Sequence, residues 1–188
     1  NQCEGKYGGV KSNKKTWKEF YLDNEKKLSE LSSDEDKIKW TIKCGHFQLL
    51  ETLLKDKSLN LSKFIIDGMD LLTYVIKKNN KKCVELLLTQ NIKVNYKDDK
   101  LNWTPLFWAT LIGNEKIINL LIEHKAKDNI KDKYGMTPLH IASYFGYENL
   151  IKLFVQKKLR INCYEKKYKL SPLHLAFFQE NEDVIKYF

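Results

Sequence analysis

Arginine is almost missing from this chain: Arg160 is the only one among 33 basic residues, and the remainder are lysine. Surfaces selected to read nucleic acid favour arginine, whose planar fork makes paired bonds to phosphate and guanine. The formal charge of +9 is therefore read as solvated lysine faces, and the sequence argues against a nucleic-acid partner. Four cysteines, at 3, 44, 83 and 163, contain no C-x-x-C pair and no matching histidine spacing. Neither a zinc site nor a disulfide framework is expected, and a reducing compartment, cytoplasmic or nuclear, follows. Every apolar run is broken by a polar residue well before the roughly 18 to 20 residues of a membrane span, so no membrane contact is expected through this segment. Phosphate-binding glycine loops, the serine-hydrolase elbow and the H-E-x-x-H zinc motif are all lacking. Neither catalysis, nor a cofactor, nor a metal is expected.

What is present is periodic. The only three prolines, Pro105, Pro138 and Pro172, each follow a short hydroxyl residue. Together with two aspartates these residues form the series Asp36, Asp70, Thr104, Thr137 and Ser171, at spacings of 34, 34, 33 and 34. Each is a good helix N-cap, and proline suits the first helical position because its missing N–H has no partner there. Nine residues after each stands a turn position, namely Gly45, Asn79, Gly113, Gly146 and Glu180. An apolar set with helical spacing then recurs, such as Ile117, Ile118, Leu121 and Ile122, or Leu150, Ile151, Phe154 and Val155.

The segments Thr104-Pro-Leu-Phe-Trp-Ala109, Thr137-Pro-Leu-His-Ile-Ala142 and Ser171-Pro-Leu-His-Leu-Ala176 resemble the signature of the ankyrin repeat, a unit of about 33 residues. The resemblance covers roughly 34 to 188. It implies an all-α solenoid of helix-turn-helix units with β-turn fingers, about 4.5 repeats long. Boundaries are expected near 34–65, 66–98, 99–131, 132–165 and 166–188. A capping helix over 16–33, through Trp17, Phe20 and Leu28, and a loosely ordered segment over 1–15 are expected to precede the array. Asn1 is not a methionine and Phe188 falls inside an incomplete unit, which reads as a segment of a longer protein.

The histidines are four. His140 and His174 occupy the fourth position of the repeat signature, where the resemblance implies a structural role bridging neighbouring turns. Asp98 and Asp99 are read as turn formers. The resemblance further implies an inner, concave face lined by the fingers and by the ends of the first helices. On this sequence the partner-binding candidates are Lys43, Lys77 and Lys78 in the first half. In the second half they are Trp103, Leu111, Ile112, Tyr134, Met136, Tyr144, Phe145, Tyr168 and Phe178. Met69 also belongs to the variable turn positions. A basic half followed by an aromatic half suits a protein or peptide partner with acidic and apolar anchors. A monomeric, non-catalytic interaction module is the expectation. By fold-level analogy alone, the array is otherwise the recruiting domain of a larger enzyme or carrier, as in palmitoyltransferases and acyl-CoA-binding proteins.

Overall fold

The computed structural model describes residues 26–27, 29–54, 61, 64–90 and 92–188, and the chain falls into two compact units, Asn1–Leu59 and Asn60–Phe188. The segment 1–15 and most of the expected capping helix lie outside the described residues; 26, 27 and 29 are helical.

The first unit contains α1 (Asp34–Cys44) and α2 (Phe47–Leu54), which pack together. Helix α1 is capped by Ser33, whose Oγ accepts the Asp36 amide at 3.0 Å, and not by Asp36 as the repeat spacing suggests. The cap moves because the serine oxygen lies three residues upstream of the amide that needs it. Asp34, Glu35 and Asp36 instead occupy the first turn, where negative charge complements the exposed amides. Ile38 and Ile42 are buried. Cys44 is disulfide-bonded, contrary to the expectation of none, so the cysteines no longer argue for a reducing compartment.

The second unit opens with a hairpin, β1 (Ile65–Ile66) and β2 (Met69–Asp70), in antiparallel register Ile66↔Met69. Asp67 and Gly68 both have positive φ, as a tight primed turn requires. Met69 is buried there, which removes it from the open positions. Four helix pairs follow: α3 (Leu71–Lys77) with α4 (Lys81–Leu88), α5 (Pro105–Ile112) with α6 (Glu115–Glu123), α7 (Pro138–Tyr144) with α8 (Glu148–Gln156), and α9 (Pro172–Phe178) with α10 (Glu182–Ile185). Each first helix packs on its own second helix, and α3, α5 and α7 each pack on the first helix of the next pair. The fully buried Ala109, Ala142 and Ala176 stand at equivalent places in α5, α7 and α9, and an alanine there leaves room for the neighbouring backbone. Around them lie Leu72, Leu106 and Leu139 from the first helices and Val84, Leu87, Ile118, Leu121, Ile151 and Phe154 from the second. Val155, the last member of its apolar set, is the exception and is exposed.

Helix ends repeat as faithfully as helix starts. At Gly45, Asn79, Gly113, Gly146 and Glu180 the backbone is left-handed. In every case the amide of that residue and the amide of the next one bond back into the last turn, as with Gly113 N to Thr110 O (3.0 Å) and Asn114 N to Ala109 O (3.3 Å). This is the Schellman closure, which satisfies carbonyls that the helix cannot.

Candidate functional site

Three fingers connect the helix pairs, and each is built on one buried acid: Asp98, Asp132 and Glu165. Asp98 Oδ1 accepts the amides of Lys100 (3.1 Å) and Leu101 (2.8 Å); Asp132 Oδ1 accepts those of Tyr134 and Met136, both at 2.8 Å. Glu165 accepts from Lys167, Tyr168 and Leu170. Burial alone would raise the Glu165 carboxyl, but these amides more than offset it and hold it below the usual range. Neighbouring fingers are tied in turn: Lys133 N donates to Leu101 O and Lys166 N to Tyr134 O, each at 2.9 Å. The tips are thereby set in a fixed row.

The second oxygens of two of these acids hold indoles. Trp108 Nε1 donates to Asp98 Oδ2 at 3.1 Å, and Trp103 Nε1 donates to Asp132 Oδ2 at 3.2 Å. Trp103 also stacks on Phe107 and meets Trp108 edge-on, with ring centres 5.6 and 5.2 Å apart. Lys77 Nζ sits 5.2 Å from the Trp108 ring centre, a cation–π contact across two repeats. Of the expected candidates, Lys77 and Trp103 therefore converge, but Trp103 is half-buried and spends its indole on the seam between fingers.

A second cluster forms at the end of α7. Tyr144 and Phe145 meet edge-on at 5.2 Å, and Phe145 stacks on Tyr147 at 5.7 Å. Tyr147 reaches back to donate to Leu111 O at 3.2 Å. Tyr144 and Phe145 are 45% and 47% exposed, while Tyr134, Tyr168 and Phe178 reach 58%, 66% and 64%. Leu111, Ile112 and Met136 are half-buried. Lys78 is exposed and lies over its own Tyr74; Lys43 is exposed in the first unit.

A family model described as ankyrin repeats (3 copies) matches residues 38–132 and again 113–188. The chain belongs to the ankyrin-repeat family. No individual curated protein matches it. Ankyrin repeats are in general protein-interaction modules and are generally not catalytic.

Within this ankyrin array the histidine of the repeat signature does what its position implies. His140 Nδ1 accepts the Thr137 amide at 3.1 Å and the Thr137 hydroxyl at 2.9 Å, which puts the ring proton on Nε2. Nε2 donates to Leu170 O, 3.2 Å away in the next finger. Burial lowers the His140 pKa, because the charged ring would be poorly solvated there. Cys163 Sγ lies 3.8 Å from His140 Nδ1, but that nitrogen already serves the Thr137 amide and burial raises the thiol. The pair has neither a free base nor a ready thiolate, so it is packing and not a nucleophile. Cys83, on the apolar face of α4, is pushed up to about 12 by burial. Among the described residues no group of three or more His, Cys, Asp or Glu is placed to hold a metal ion, and no helix is long and apolar enough to cross a membrane.

Several of these ties were not read from the sequence. Asn114 Nδ2 reaches Asn79 Oδ1 at 2.7 Å, and Asn181 Nδ2 reaches Ser143 O at 3.0 Å. With Tyr147 they form one backward staple per repeat. Their signal was present, since each stands one residue after the left-handed turn position.

Proposed function

We infer that this ankyrin array is a non-catalytic module that grips a protein partner along the finger row and the adjoining ends of its first helices. The observation that carries the reading is the exposure of Tyr134, Tyr144, Phe145, Tyr168 and Phe178, none of which the helix core requires. Large aromatics left open on one protein are costly in solubility and are the side chains enriched at interface centres. Lys77 and Lys78 add a basic end to the same row, while Trp103, Leu111, Ile112 and Met136 form its half-buried floor. The deciding experiment is a pull-down with the wild-type array and with Tyr144→Ala/Phe145→Ala, read by mass spectrometry. Partners captured by the wild type should be lost with the double variant, at about 2 kcal/mol for each hot-spot ring, while the melting temperature moves by only a few degrees. Unchanged capture alongside a large drop in melting temperature would sink the reading and return both rings to the core.

A further inference from the structure

Charge on this molecule is sorted by element. The ion pairs among the described residues lie on helices or at their ends, as in Lys81–Glu85 (2.6 Å), Lys152–Glu148 (2.8 Å) and Lys186–Asp183 (2.8 Å), and none involves a finger lysine. In the fingers the acids go the other way: Asp98, Asp132 and Glu165 are buried and bound to backbone amides and indoles, and Asp99 alone faces solvent. The lysines Lys100, Lys131, Lys133, Lys166, Lys167 and Lys169 are all exposed. Two of them are laid along the row by the neighbouring backbone: Lys131 Nζ donates to Tyr164 O and Lys166 Nζ to Lys133 O, both at 3.0 Å. Lys167 Nζ stands 4.5 Å from the Tyr168 ring centre. The finger row is thus a strip of ammonium groups outside any ion pair, interleaved with the exposed Tyr134 and Tyr168.

We propose that the partner of this row is an acidic, extended protein segment that lies across the fingers, its carboxylates toward the lysines and its apolar residues on the two tyrosines. The proposal rests on the array being a protein-interaction module and adds the chemistry of what it binds. The fingers still carry more lysines than acids, and none of these ammonium groups is held in an ion pair, so carboxylates complement them and such a strip favours negative partners over neutral ones. Fixed finger-to-finger hydrogen bonds give the strip a regular step, which an extended chain follows more readily than a globular surface. An oligonucleotide is the less favoured occupant, because the cations of the row are lysines apart from Arg160 in the α8–α9 connection, and one arginine cannot pair with successive phosphates.

The test is selection of random 12-residue peptides displayed on phage against three proteins. These are the wild-type array, a finger variant (Lys133→Glu, Lys166→Glu, Lys167→Glu) and a helix variant (Lys116→Glu, Lys125→Glu, Lys157→Glu). Wild type and helix variant should both select peptides rich in Asp and Glu. The finger variant should bind the selected peptide about tenfold more weakly or worse and shift its own selection toward basic sequences. Far-ultraviolet circular dichroism should show all three folded, since the substituted residues lie on the surface. Peptides selected without acidic enrichment, or equal loss in both variants, would overturn the proposal while leaving the interaction module standing. Failure to select any peptide would overturn the proposal, and the pull-down would then decide the interaction module by itself. A fluorescent 20-nucleotide single strand that binds more tightly than the selected peptide, and is released by the same three finger substitutions, would show that the occupant is nucleic acid and overturn the proposal too.

Discussion

His140 and Asp132 show how much a single side chain carries between repeats. The neutral His140 ring joins Thr137 to Leu170, and its folded pKa is depressed by burial. The unfolded ring titrates near its ordinary value of about 6.5, so on acidification the unfolded chain takes up a proton before the folded one does. Stability is therefore complete above that value and falls as pH drops below it. Thermal melts from pH 7.5 to 5.0 should show a steeper loss for wild type than for His140→Gln; parallel curves would mean that the ring does not titrate as described. His46, also lowered by burial, contributes equally to both curves and cancels in the comparison. Asp132→Ala strips an acceptor from the Tyr134 and Met136 amides and from the Trp103 indole at once. A cost of about 2 kcal/mol is expected in urea denaturation, since three part-buried donors lose their partner together.

At the scale of the element, the left-handed positions at helix ends and finger tips are where this array departs most from an optimal sequence. Glu180 and Lys169 both hold positive φ, a conformation that costs an L-residue roughly 1–2 kcal/mol. Glu180→Gly and Lys169→Gly should each raise stability by about 0.5–1 kcal/mol once the larger chain entropy of glycine is deducted, a gain measurable in the same denaturation. Gly135→Ala should do the reverse, because an added Cβ would stand 2.8 Å from the Lys166 amide nitrogen in the adjacent finger. These positions also show what a sequence discloses. The starts of four first helices, the turn nine residues later and the apolar faces were legible because each follows from local chemistry: a cap oxygen, a proline, a 3.6-residue period; at Thr104 the proline alone marks the start, because its hydroxyl bonds no amide of the first turn. Periodicity points to Asp36 and not to Ser33, although both are competent caps and only the backbone decides between them. The staples by Asn114, Tyr147 and Asn181 and the indole bonds of Trp103 and Trp108 link residues 10 to 38 positions apart. Such pairings depend on how neighbouring units dock, which residue types alone do not fix. Trp103 consequently looked as free as Tyr144 in the sequence, whereas Asp132 holds it in the seam.

Over the second unit as a whole, stacking determines which parts open first. Leu72, Leu106 and Leu139 are buried, yet Leu173 at the same place in α9 is exposed; Phe177 is exposed where Ile76, Thr110 and Ser143 are covered. Native-state hydrogen exchange of this chain should accordingly be slowest in α5 to α8 and fastest in α9 and α10, where Leu173 and Phe177 are left uncovered. Protection as strong in α9 as in α7 would contradict this. The fingers bear on the molecule in another respect. From each cap to its left-handed turn residue the interval is constant, nine residues in Asp70–Asn79, Thr104–Gly113, Thr137–Gly146 and Ser171–Glu180. From buried acid to cap it is not: six residues separate Asp98 from Thr104 and Glu165 from Ser171, but five separate Asp132 from Thr137. The one-residue irregularity of the 33- and 34-residue spacings is thus taken up at the finger tip, with the finger-to-finger hydrogen bonds intact on both sides. The tips are the places where this scaffold accepts insertions and deletions, and a short foreign loop grafted there would be displayed without shifting a helix.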